Sequence, residues 1–211
     1  MVRGFRDAMR LEDAMTHELL LALMAGSALA IASCANKPAE TAAAQDKAAV
    51  NVAAPANPSD PIDSATSAAP AAIARDAAVM MIGDDGAMKE LRKGSNGFTC
   101  MPDSPATPGP DPMCMDANAM KWAEAWIGHK PPPADNVGLM YMLAGGSDAS
   151  NMDPYGEKPA DGKWVETGPH VMVVGSDSLN KIYPATPSPD TSKPYVMFGG
   201  TPYAHVMMPV H

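Results

Sequence analysis

The sequence predicts an α+β fold: a sheet-dominated single domain with one well-defined helix, over about 116–127, and a Cys100–Cys114 disulfide. Three observations predict it. Short apolar runs rich in Val, Tyr and Met recur through the second half, separated by Gly, Pro, Asp and Ser clusters, the punctuation of strands. A single segment, 116–127, repeats its apolar residues at helical spacing. The 211-residue chain holds 22 prolines, which suit loops and strand ends and break long helices.

In chain order, "AVMMIGDDGAMKEL" at 78–91 reads as a β-hairpin, with Asp85-Gly86 at the turn supplying positive φ. "KGSNGFTC" at 93–100 adds a second glycine turn at Asn96-Gly97, and "MPDSPATPGPDPM" at 101–113 is a proline-laden loop. The helix follows. Asp116 is its N-cap, and Ala119, Met120, Ala123, Trp126 and Ile127 share one face. Met115 and Met120 occupy the two positions of a hydrophobic staple. Gly128 ends the helix, and the prolines at 131–133 prevent it from resuming. Beyond them, "VGLMYMLA", "HVMVVG", "YVMFGG" and "HVMMPV" read as strands. Several are apolar at every position, which predicts burial on both faces, and Pro209 moves the last toward an edge or a strand end.

The first 74 residues stand apart from this domain, which is expected over 75–211. Arg3, Arg6 and Arg10 precede an apolar run, Leu19–Ala32, in the pattern of a secretory signal; Met15 is an alternative start. At its end, Ile31-Ala32-Ser33-Cys34 resembles the lipobox of bacterial lipoproteins. The resemblance implies removal of 1–33 and attachment of acyl chains such as palmitate at Cys34, which anchors the chain stably in a membrane. Ala35 after that cysteine favours the periplasmic face of the outer membrane over the inner one. Residues 34–74, dominated by Ala, Pro, Ser and Asp with no aromatic residue, read as a disordered tether. With Cys34 acylated, Cys100 and Cys114 remain, and two neighbouring cysteines in an oxidising envelope compartment should pair.

Composition excludes one class of partner. Lys and Arg total 15 against 24 Asp and Glu, a formal charge of −9, and such a chain is repelled by nucleic-acid phosphates. The methionines are the oddity, at 18. Two of them fall in a repeated triplet, His-Val-Met, at 170–172 and 205–207. Residues i and i+2 of a strand share a face, so His170 with Met172 and His205 with Met207 would converge if the strands paired. Imidazole with thioether is a ligand set for Cu(I). The simpler reading is that both triplets are buried strands, since Met fills irregular cores well.

A second candidate is the polar loop "AGGSDASNMDPY" at 144–155, in which Ser147, Asp148, Asn151 and Asp153 could bind a ligand. Its spacing matches neither a calcium loop nor a serine-hydrolase elbow, and Asp and Asn often cap their own turns. Pairing His170 or His205 with Asp148 or Asp153 would make a hydrolase or lyase site, although no spacing demands it. His129 reads as a solvated helix end, and Trp122, Trp126 and Trp164 as packing residues.

"GSNGFTC", "YMLAGGSDASNMDPY", "GPHVMVV" and "PYVMFGGTPYAHVMMPV" resemble segments of a group of uncharacterised bacterial exported proteins. That resemblance supports one domain over 75–211 and implies no activity or ligand. The expectation is a lipid-anchored envelope protein whose non-catalytic domain binds a small ligand or an envelope partner. A Cu(I)-binding or copper-handling envelope protein and a hydrolase or lyase with a His/Asp site are the alternatives.

Overall fold

The computed structural model of this chain describes residues 59–83, 85–159 and 161–210. The expected signal, the expected lipidation site Cys34, the expected tether as far as residue 58 and the terminal His211 lie outside them. The described chain is a sheet-dominated α+β domain.

Its strands are β1 (Ala78–Ile82), β2 (Met88–Arg92), β3 (Phe98–Met101), β4 (Met113–Asp116), β5 (Gly138–Met142), β6 (Gly146–Asp148), β7 (Val165–Thr167), β8 (His170–Val174), β9 (Tyr195–Met197) and β10 (His205–Pro209). Eight form one mixed sheet in the order β2-β1-β3-β4-β5-β8-β10-β9, while β6 and β7 pair separately. Within the large sheet β1 and β3 run parallel and the other neighbours antiparallel. The Asp85-Gly86 hairpin between β1 and β2 forms as expected, with Gly86 at φ 76°.

The two-residue period of the strands sorts side chains onto two faces. On the back, Cys100 lies directly opposite Cys114, and the two form the expected disulfide. On the front, register aligns Met115, Met140, Met172, Met207 and Tyr195 into one row across five strands. All five are buried.

Helix α3 (Ala117–Ile127) covers the front. Asp116 caps it as expected: Oδ1 accepts the N–H groups of Asn118 and Ala119 at 3.0 and 2.8 Å. Its other oxygen accepts Leu139 N–H at 3.0 Å, so one carboxylate joins helix to strand. The helix lies so close to β5 that a Cβ on Gly138 would stand 2.3 Å from the Ala119 nitrogen. Gly128 is the C-cap, but the left-handed conformation falls one residue later, on His129 at φ 53°.

The back is covered by segments that composition assigns to a tether. Residues 60–74 form helices α1 (Pro61–Thr66) and α2 (Ala71–Ala74), so the ordered chain starts before Arg75. The reason is close approach. Ala65, Ala68, Ala74 and Ala77 pack without bulk against Val79 and the disulfide, with Ile62 and Ile73 packed at the margin of the cluster. The carboxylate of Asp60 caps α1, and the Arg92 guanidinium donates to the carbonyls of Ala74 and Ala77.

Strand β10 is interior, between β8 and β9, and Pro209 is its last residue; of the two positions expected for that proline, the strand end is the one adopted. Strand β9 is the edge. Its Val196 N–H donates to the Pro184 carbonyl at 2.8 Å, and the Val196 carbonyl accepts Asn151 Nδ2 at 3.1 Å. Burial on both faces holds for β9 but fails in β5, where Leu139 is exposed.

Candidate functional site

Between the front of the sheet, α3 and the 102–111 loop lies a cavity of about 480 Å³. Nine methionines line it, with Trp122, Trp126 and Phe198. This volume falls within the usual range for small-molecule sites, which are mostly apolar with a few placed polar groups.

Those polar groups begin with the two histidines. His170 and His205 are both 2% exposed, and both line the cavity. Each ring is oriented from its own backbone: His170 Nδ1 donates to the Gly168 carbonyl at 2.7 Å, and His205 Nδ1 to the Tyr203 carbonyl at 2.9 Å. A carbonyl only accepts, so Nδ1 carries the proton and Nε2 presents a bare lone pair. Both Nε2 atoms are buried without a hydrogen-bond partner, as is the indole Nε1 of Trp122. Burial lowers the pKa of His170 and pushes that of His205 down to about 4, although the backbone hydrogen bonds act in the opposite direction. Both rings are therefore neutral at pH 7. Trp122 and Phe198 meet His205 edge-on, with centroids 5.1 and 5.3 Å away.

The two His-Val-Met strands do pair, and His170, Met172, His205 and Met207 all face the cavity. Their antiparallel register separates the histidines, however. His170 lies opposite Pro209 and His205 opposite Val174, with the Met172–Met207 pair between them. Each histidine instead has another methionine directly across the ladder: Met142 beside His170, and Met197 beside His205.

The polar loop divides. Ser147 and Asp148 line the cavity from β6. Ser147 is buried, and its hydroxyl accepts Gly109 N–H at 3.3 Å, joining β6 to the proline-rich loop. Burial, with the nearby charge of Asp111, pushes the Asp148 pKa up to about 6. Asn151 and Asp153 serve the backbone instead. Asn151 Nδ2 donates to the carbonyls of Thr186 and Val196, and Asp153 accepts Tyr155 N–H in an exposed turn. His129 stacks on Tyr155 at 4.0 Å, away from the cavity lining.

Sequence reasoning missed Met142, Met197, Phe198 and the cavity-facing residues of the 102–107 segment. The alternating methionines of β5 were a readable signal of one thioether-rich face; the partners across each ladder were not. Among the described residues no three His, Cys, Asp or Glu side chains gather as a metal cluster, and no helix is long and apolar enough to cross a membrane. No protein-family model matches the chain, and comparison with curated proteins and solved structures yields no match either.

Proposed function

We propose that this chain is an exported, lipid-anchored envelope protein whose domain binds a small, largely apolar ligand between α3 and the methionine face, without catalysis. The observation that carries the binding half is the cavity of about 480 Å³ and its three unpartnered buried atoms: two imidazole acceptors and one indole donor. An unsatisfied buried polar atom costs about 1–3 kcal/mol. A ligand that supplies the missing partners recovers that cost. Methionine side chains adapt to its shape. The lipid-anchor half rests on Ile31-Ala32-Ser33-Cys34, and a Cys100–Cys114 disulfide accords with an oxidising compartment.

Two measurements test the halves separately. The full chain, expressed in a lipoprotein-processing bacterium with labelled palmitate, should take up label that Cys34→Ala abolishes; absence of label in the wild type overturns the anchor. Purified full chain should bind an apolar fluorescent naphthylamine one to one, quenching Trp122 and Trp126. Met172→Trp, which fills the cavity, should remove that binding. Wild-type protein that leaves the probe free at high micromolar concentration overturns the binding reading.

A further inference from the structure

We propose that the cavity holds two separate sites for soft monovalent metal ions, each a His-Met-Met set: His170 with Met142 and Met172, and His205 with Met197 and Met207. The inference rests on the reading that this cavity is a binding site, and it adds to the apolar ligand a second class of occupant, Cu(I) or its close analogue Ag(I).

Register supplies the sets. On β8, Met172 follows His170 by two residues and shares its face, while Met142 of β5 lies directly opposite His170. On β10, Met207 follows His205 by two residues, while Met197 of β9 lies directly opposite His205. The same local figure therefore occurs twice, once on each side of the β8–β10 ladder. Cross-strand partners lie roughly 5 Å apart at Cβ and same-face neighbours along a strand roughly 7 Å apart. Methionine, with three rotatable bonds, spans such gaps. All six side chains line the one cavity.

The histidines are prepared as ligands. Each offers Nε2 as a bare, buried lone pair, because Nδ1–H is held by a backbone carbonyl two residues upstream. That carbonyl is the outer-shell partner usual for a metal-binding imidazole, fixing both tautomer and orientation. Neither set contains a carboxylate or thiolate. A neutral N/S/S set supplies no anionic donor of its own to a divalent ion, whereas thioether sulfur suits a soft monovalent ion. Two ions follow rather than one because four residues of strand, roughly 13 Å of backbone, lie between the two histidine positions, with the Met172–Met207 pair between them.

The test uses the full-length chain carrying Cys34→Ala, which removes the one cysteine of the sequence outside the Cys100–Cys114 disulfide. Ag(I) is the probe because it needs no reductant and leaves the Cys100–Cys114 disulfide intact. After removal of unbound silver, elemental analysis should find two ions per chain. His170→Gln and His205→Gln should each retain one, and the double variant none. In long-range proton–nitrogen spectra of the parent, silver should shift both Nε2 resonances and leave both Nδ1 resonances in place, a readout that does not depend on the variants folding. Met142→Leu and Met197→Leu, close in volume, should each weaken one site at least tenfold. A parent binding no silver, one ion shared by both histidines, or unmoved Nε2 resonances would overturn the proposal. If naphthylamine still binds in that case, the cavity reading survives; if it fails as well, both fall.

Discussion

Acidification of the wild type alongside His205→Gln isolates the cost of keeping one imidazole dry. The ring is 2% exposed, and burial pushes its pKa down to about 4. In the unfolded chain the same ring titrates near 6.5. The folded state thus favours the neutral ring. Relative to the unfolded chain, that preference costs nothing above about pH 6.5 and weakens the fold progressively as pH falls toward 4. A displacement of about 2.5 pH units at 1.36 kcal/mol each makes the wild type about 3 kcal/mol less stable at pH 4 than at pH 7 through this group. Urea unfolding of both proteins at the two pH values, followed by tryptophan fluorescence, measures it. Asp148 and the other titrating groups are common to both chains and cancel to first order, while charge gained by His170 on acidification acts on His205 in the same direction as burial. The stability gap between wild type and variant should shift by about 3 kcal/mol on acidification, to the wild type's disadvantage. A gap constant within about 0.5 kcal/mol would mean that the ring is hydrated, and the dry, neutral Nε2 would be refuted.

Asp148 gives the opposite sign. Its pKa is raised to about 6, so its ionisation in the fold is penalised at neutral pH and the penalty vanishes below about 4. Asp148→Asn should stabilise the protein at pH 7.5 by about 2 kcal/mol, allowing for partial contact with water, and by nothing at pH 3.5 in the same urea experiment. Asp116→Ala removes an acceptor from three N–H groups. It should cost about 2 kcal/mol in urea unfolding, more than an ordinary helix cap, because Leu139 N–H loses its partner too. Gly138→Ala forces a methyl against the Ala119 backbone. It should lift α3 from the sheet, lower stability by about 3 kcal/mol or more, and weaken the near-ultraviolet dichroism of Trp122.

Local patterns were legible from the sequence, and partners across the sheet were not. The cap at Asp116, the burial of Ala119 and Ala123, and the Asp85-Gly86 turn each act over a few residues and took the expected form, whereas Ile127, expected on the same helix face, is exposed and Trp122 is buried in its stead. The disulfide followed from a count of cysteines. The methionines opposite His170 and His205 depend on the order β5-β8-β10-β9, which long-range packing decides. No periodicity within β5 or β9 reveals it. Residues 60–74 misled for a different reason: lack of bulky side chains suggests disorder, yet alanine is what permits a backbone to lie flat on a disulfide. In the 147–153 loop, polar density was visible, but whether each group would face a cavity or a neighbouring carbonyl depended on where the β9 edge ran.

An open sheet has two margins, and each could template a foreign strand. Along β9, Val196 has already committed both main-chain groups to Pro184 and Asn151. Along β2, Lys89 and Glu90 set charge at the opposite margin. Both features oppose the addition of a further strand at the rims of the described sheet.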